Sequence, residues 1–458
     1  MKQNEQETIY DAKKLGSGKV LILGFQHLFA MFGATVLVPA LTGLSVSATL
    51  LFAGLGTLLF HFLCKGKVPA FLGSSFAFLA GYWAIAPDGD PVLLPYACLG
   101  VACAGVLYLI LSALIKAYGK DNVMKFFPPI VTGPVIIAIG LSLSAGAINN
   151  CSSNWLIAIV AIAIVIICNA WGRGMIKIVP IILGVLGSSL VAIILALTCG
   201  QDIDGTVTIA GNASLALFDA TKIQAIKDAA WIGIPFKFDD TVFSIFTNPD
   251  TSLIITSIIT IVPIAIATMA EHIGDISAIS STVEKDYIAD PGLHRTLLGD
   301  GLATIIASLF GAPANTTYGE NTGVLTLTKV YDPFVIRIAA YIAVVISFCP
   351  KVAAVISAMP VATCGGVSLV LYGMISAVGV RNIVENEIDF KQTRNVIIAA
   401  LILVLSIGIA YSSAGSLSFT IGSVTISLTG LAVGVLAGII LNAILPGKSS
   451  GKVFKKEL

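Results

Sequence analysis

Apolar runs long enough to cross a bilayer recur along almost the whole chain. They fall near 19–41, 46–64, 93–115, 127–149, 155–171, 178–199, 252–271, 297–311, 334–350, 352–378, 395–412 and 420–445. A helix needs about 20 predominantly apolar residues to span a hydrocarbon core ~30 Å thick. Inside lipid the backbone must satisfy its own N–H and C=O groups, which leaves only helices and closed barrels. A barrel would show short alternating segments, whereas these runs are continuous. Only 11% of the residues are charged, against roughly 25% in a soluble domain. The chain therefore reads as an all-α polytopic membrane protein. A net charge of +1 gives no electrostatic footprint for nucleic acid. The eight cysteines are scattered, mostly in apolar runs and without metal-ligand spacing, so they read as small buried hydrophobes and no metal or cofactor is expected. Residues 1–15 are polar and charged, so no cleavable leader is expected and the first span serves as its own insertion signal.

Two further stretches, near 68–87 and 313–329, are short and broken by Gly, Pro and polar residues. Counting both gives 14 expected crossings and places both termini on one side. All but four of the 26 Lys and Arg then fall on that side; the exceptions are Lys222, Lys227, Lys237 and Lys351. By the positive-inside rule that side is the cytoplasm. Dropping either broken stretch alone would invert everything after it and spoil the asymmetry. The one long polar loop, 200–250, then lies outside.

The chain also resembles itself. Gln26-His27 aligns with Glu271-His272, Pro69-Ala70 with Pro313-Ala314, and Pro129 with Pro360, in the same order and at nearly constant spacing. Two halves of seven spans each follow, and an odd number makes the second half inverted. Paired broken segments at matching places in two inverted halves point to a binding site near the bilayer midplane.

Charge placement agrees. Glu271 ends an apolar run, Asp275 follows one helical turn later on the same face, and Glu320 lies in the second broken stretch. Carboxylates within a membrane mark substrate, ion or proton pathways by default. In Gly73-Ser74-Ser75-Phe76 and in Thr316-Thr317-Tyr318-Gly319-Glu320, small and β-favouring residues follow a proline. Each is expected to be an extended segment leading into a half-helix, with free backbone groups facing a cavity. Phe76 and Glu320 occupy equivalent repeat positions. A ring to stack on and a carboxylate to accept N–H bonds suit a planar heterocycle. His272 is expected to pack rather than bind, and Asp300, near an inner span start, to be solvated; Asn321 is expected to brace the broken backbone.

These residues carry a family resemblance. Glu320-Asn321-Thr322-Gly323, followed by Thr328-Lys329, is a full match to the signature of the nucleobase–ascorbate transporters (nucleobase:cation symporter-2). Gln26-His27, Gly73-Ser74-Ser75-Phe76 and Asp290-Pro291-Gly292 also resemble that family, in particular its bacterial uracil permeases. The resemblance runs from about Lys19 to Lys448. It implies 14 spans in two inverted seven-span repeats with short antiparallel strands in spans 3 and 10. It implies a core domain from 19–116 and 252–350, a gate domain from 123–199 and 352–445, and an extracytoplasmic loop at 200–250. Carried over by position, the substrate contacts are Ala34, Phe76, Glu271, Gly319, Glu320 and Tyr372, supported by His27, Tyr318 and Asn321. The resemblance further implies uracil uptake with protons across the cytoplasmic membrane, a homodimer formed through the gate domain, and no enzymatic activity.

One position departs from the uracil pattern. Asp275 stands where those permeases carry a His, and together with Asp300 it resembles the xanthine and urate branch. Tyr318-Gly319-Glu320-Asn321 is the pyrimidine form, so uracil is expected and a purine is the alternative. Burial disfavours a charged carboxyl, so Glu271 and Asp275 are expected to share the coupled proton as a pair. An anion carrier of the same fold would want a neutral or cationic site, and a membrane enzyme would want a nucleophile or metal set that the sequence lacks.

Overall fold

The computed structural model describes residues 8–421 and 424–447. Helices account for most of it. They are α1 (Ser17–Thr42), α2 (Val46–Leu63), α3 (Leu79–Ile85), α4 (Leu94–Tyr118), α5 (Pro129–Ser152), α6 (Trp155–Trp171), α7 (Pro180–Cys199), α8 (Ala220–Asp228), α9 (Thr251–Ile261), α10 (Ile264–Val283), α11 (Leu293–Leu309), α12 (Gly319–Thr328), α13 (Pro333–Ser347), α14 (Pro350–Ser357), α15 (Val361–Glu385), α16 (Thr393–Ala410) and α17 (Gly430–Ile444). Among the described residues, eight helical segments are long and apolar enough to cross a membrane, or nine when the bent pair α13–α14 counts as one.

Local chemistry sets the boundaries. α1 stops at Gly43, whose left-handed backbone (φ 82°) lets its N–H reach the Pro39 carbonyl. Ser45 then caps α2 by accepting from the Ala48 N–H, as Asn154 caps α6 and Asp250 caps α9. Pro263 separates α9 from α10, so the expected span 252–271 is part of a longer, broken element. Pro350 starts α14 at 90° to α13. The expected span 352–378 therefore begins as a separate short helix, and the membrane-length helix is α15.

The chain is not wholly helical. Three small sheets are present among the described residues. β1 (Leu72–Ser74) pairs with β5 (Asn315–Thr317); β2 (Gly200–Ile203), β3 (Thr206–Ile209) and β4 (Ala216–Asp219) form an antiparallel sheet within the polar loop; β6 (Ser416–Ile421) pairs with β7 (Val424–Thr429). The last pair occupies the start of the expected span 420–445, which is helical only from Gly430. The cause is visible in the residues. Leu417, Phe419 and Ile421 alternate with Ser416, Ser418 and Thr420, the period of a strand.

Packing falls into two groups. In one, α2 lies on α13 and α11, α4 on α11 and α9, and α1 on α13. In the other, α15 lies on α5 and α6, α16 on α17 and α5, and α6 on α7. α1 and α10 bridge the groups: α1 touches α7 and α15, and α10 touches α5 and α17. Gly33 on α1 allows the closest of these approaches, since a Cβ there would lie 2.4 Å from Ile181 Cγ2. All eight cysteines are free thiols, five of them buried.

Candidate functional site

The two broken stretches meet at the centre of the first helix group. β1 and β5 run antiparallel with Leu72 opposite Thr317, Gly73 opposite Thr316 and Ser74 opposite Asn315. The ladder continues at both ends, where the Tyr318 N–H donates to the Phe71 carbonyl and the Ser75 N–H to the Ala314 carbonyl. All six strand residues are buried, so each spare backbone group needs a partner. A threonine from the preceding helix supplies one on each side. Thr57 on α2 accepts from the Leu72 N–H (2.9 Å) and donates to the Leu72 carbonyl (3.2 Å). Thr304 on α11 donates to the Asn315 carbonyl (2.9 Å). Asn315 also donates to the Phe52 carbonyl, and a Cβ at Gly56 would collide with that amide.

α1 closes the other face. Ser74 donates to the Thr35 carbonyl (2.8 Å), Thr35 to the Tyr318 hydroxyl (3.3 Å), and Tyr318 to the Ser74 carbonyl (2.9 Å). This ring of bonds fixes Tyr318 across β1, and Gly73 is required there because a Cβ would stand 2.5 Å from the Tyr318 ring. Ala34 sits beside Thr35 on α1 and is fully buried. His27, one side of α1 further on, receives the Asn321 amide at its Nδ1 (3.1 Å) and at its backbone carbonyl (3.2 Å). Asn321 thus ties the second broken stretch to α1.

Beyond β1 the chain turns through Phe76 into α3. Phe76 is 6% exposed and meets Tyr372 of α15 edge to face, with ring centroids 5.7 Å apart. That contact joins the two helix groups. Beyond β5 the chain enters α12, whose first turn carries Gly319 and Glu320. The backbone of Glu320 is placed at the second position of the helix; its side chain lies outside the described part of the structure. Gly319 and Gly323 are exposed on one face of α12. A Cβ at Gly319 would come near only Asp275 Oδ1, at 3.9 Å, and one at Gly323 would meet nothing.

α10 faces that open side. Glu271 is partly buried there, and Asp275, buried, accepts from the Thr317 hydroxyl (3.2 Å). His272 Nδ1 lies 3.5 Å from the same hydroxyl and 2.9 Å from Asp300 Oδ2 of α11. His272 and Asp300 are both fully buried. The expectation of a solvated Asp300 is therefore wrong, because α11 turns it inward. His272 is a polar partner as well as a packing residue. Sequence reasoning missed this pair and the two threonines. Thr57 and Thr304 stand at almost the repeat spacing, which is a signal that could have found them; Asp300 is the only charge between Leu297 and Gly311. Among the described residues no cluster of His, Cys, Asp and Glu has the arrangement of a metal site.

Comparison with known proteins shows the family to which the chain is similar. A model of the Permease family (Xan_ur_permease) matches residues 18–415. The uracil permease of Bacillus caldolyticus is 39% identical over 94% of this chain and 93% of its own length. The uracil permease of Bacillus subtilis (strain 168) is 39% identical over 92% of this chain and 91% of its own. The solved transmembrane domain of a cyanobacterium bicarbonate transporter, BicA, superposes with a TM-score of 0.61 over 95% of this chain and 99% of that one. At 14% identity that likeness concerns the fold alone.

Proposed function

The chain belongs to the Permease family, and from that premise we propose that it carries uracil together with protons into the cell across the cytoplasmic membrane. The protein is a multi-pass membrane transporter, and its relatives are named permeases rather than enzymes. One observation carries the reading of the site: two buried strands pair antiparallel, and one continues into an aromatic residue while the other continues into the first turn of a helix bearing Glu320.

Uracil offers two N–H donors and two carbonyl acceptors on a flat, neutral ring. In our reading ionised Glu320 and Glu271 accept from the ring N–H groups, the free backbone N–H groups at the start of α12 serve a ring carbonyl, and Phe76 covers one face of the ring. Ala34 and Gly319 leave room for it, Tyr372 contributes from α15, and His27, Tyr318 and Asn321 hold the frame. Glu271 and Asp275, one turn apart, share the coupled proton, with the Thr317 hydroxyl donating to Asp275 (3.2 Å). Entry of one positive charge is worth about 2.3 kcal/mol per 100 mV, roughly a 50-fold accumulation before any pH gradient.

We read the architecture as 14 spans in two inverted repeats. Support comes from packing pairs that recur between the halves: α2 on α13 mirrors α11 on α4, α1 on α13 mirrors α9 on α4, α6 on α7 mirrors α16 on α17, and α1 on α7 mirrors α10 on α17. The strand pair, α2 with α11, and α5 with α15 are then the elements that meet their own repeat partners. The first packing group is the core domain and the second the gate domain. Transport by alternating access follows when the core moves against the gate, with Phe76 and Tyr372 on the two sides of the moving boundary. With 14 spans, the Lys and Arg asymmetry supports cytoplasmic termini, and a homodimer through the gate would leave the core free to move.

A second reading, a xanthine or urate symporter of the same family, rests on Asp275 and Asp300. Glu320 on α12 favours the pyrimidine. An anion carrier of the same fold is disfavoured by Glu271 and Glu320 at the site. Radiolabelled uracil uptake into proteoliposomes, competed with xanthine, urate, thymine and sulfate, separates the three. Competition by unlabelled uracil alone is expected, and stronger competition by xanthine than by uracil would overturn the assignment.

A further inference from the structure

We propose that residues 9–12 are a clasp that fixes the inner ends of α10 and α12 against each other, with Tyr10 as a positioning residue for the site; this rests on the reading of Glu271, Asp275 and Glu320 as the acids of that site. The segment is built onto both helices. Ile9 pairs in parallel with Val330, just past the end of α12: its N–H donates to the Lys329 carbonyl (2.9 Å), and the Tyr331 N–H donates to the Ile9 carbonyl (2.8 Å). The Tyr10 hydroxyl donates to the carbonyl of Val283 (3.0 Å), the last residue of α10. The Tyr10 ring meets Tyr331 edge to face, with centroids 5.6 Å apart, and Lys285 Nζ lies 4.2 Å from its centre. The Ala12 N–H donates to Asp332 Oδ2 (2.8 Å), while Asp332 Oδ1 caps α13 at the Phe334 N–H. Ala12, Val20, Val330 and Val335 form a small buried cluster at the same place. Tyr10 therefore holds α10 through its hydroxyl and the chain beyond α12 through its ring.

α12 needs such a hold. It has ten residues and is about 15 Å long. Its start is fixed by the strand pair and by the bond from Thr317 to Asp275. Gly319, Gly323 and Thr326, at helical spacing, leave one face exposed with no large side chain to pack. Along α10, the Tyr10 bond at Val283 lies about 12 Å from the Asp275 contact, so the two helices are joined at well-separated points. A swing of about 3 Å at the inner end would turn α12 by roughly 10° about its start. A binding constellation must be held within about 10–20°. Loosening the clasp therefore reaches the first turn of α12, where Gly319 and Glu320 stand.

Hydrogen–deuterium exchange of the full chain in detergent, read by mass spectrometry, tests the clasp without a transport readout. Tyr10→Ala is expected to speed exchange in α12 and in the last turn of α10, and to leave α5 and α15 as in the wild type. Saturating uracil should restore much of that protection, because the ligand selects the competent arrangement. By calorimetry, Tyr10→Phe, which keeps the ring and loses the bond to Val283, should weaken uracil binding by up to about 10-fold. Tyr10→Ala, which loses the ring as well, should weaken it by roughly 5- to 100-fold. Unchanged exchange in α12, or exchange raised evenly through the chain, would overturn the proposal. So would wild-type affinity in both variants, whatever their melting temperatures. Absence of uracil binding by the wild-type chain would strike the substrate assignment instead, and the exchange pattern would still decide the clasp.

Discussion

The two broken segments share a strand pair, yet their surroundings differ in kind. The first, β1 through Phe76 into α3, is apolar: its turn is buried, its helix is only seven residues long, and its ring packs on Tyr372. The second, β5 into α12, is polar: Thr317 reaches Asp275 and lies beside His272, Asn321 holds His27, and Gly319 and Gly323 leave one helix face open. In the proposed inverted repeat these would be two related walls, one offering a ring face and the other hydrogen bonds. A planar, donor-rich ligand needs both.

That contrast can be broken from the polar side first. Asp300→Ala should have the largest effect, because it leaves His272 buried without its partner; removing one member of a buried pair costs about 3–5 kcal/mol. A steep loss of thermal stability in detergent is expected, and an unchanged melting temperature would mean that the pair carries little. Glu320→Gln should weaken uracil binding by roughly 10- to 150-fold, the range for losing a hydrogen bond to a charged group, while the protein stays folded; calorimetry reads this directly. On the apolar side, Phe76→Leu keeps the bulk and removes the ring. About 2- to 10-fold in affinity is expected, the worth of an aromatic contact beyond its area, with proton coupling intact. A larger loss from Phe76→Leu than from Glu320→Gln would reverse the roles of the two walls.

The smallest effect lies outside the site. Lys67 beside Asp290 holds that carboxyl below the usual carboxylate range. The sign follows: a depressed carboxyl contributes stability at neutral pH and loses it only as pH falls through its folded value, in acid. Asp290 is an exposed group, so solvent screens the pair. Asp290→Asn should leave the melting temperature at pH 7 within error, and only a marked drop would show that this corner of the core is held by charge.

Much of this was legible in the residues. Long apolar runs marked most of the helices but missed some ends by about ten residues, as at 352–378 and 420–445; the offset matches marked the two broken segments, and Pro followed by small residues marked them as extended. What stayed hidden had physical reasons. The hairpin at 416–429 was masked by its high hydropathy, although its strict alternation was available as a sign. Pro350 announced a break at 349–350 but not that α14 would turn through 90°. The contact of His272 with Asp300 joins two helices whose facing sides only tertiary packing decides, and a lone acid near a helix end reads equally well as solvated. The threonine pins are ordinary residues whose role appears only once a buried strand needs a partner.

Coupled passage of uracil and a proton at the paired segments is the proposal on which the rest depends. Its most direct test is proton movement in proteoliposomes holding a pH-sensitive dye, with uracil added outside and no other gradient. Uracil-dependent acidification of the lumen is predicted, reduced to background in Asp275→Asn and absent when xanthine replaces uracil. Uracil accumulation without acidification, or acidification driven by xanthine instead, would contradict it.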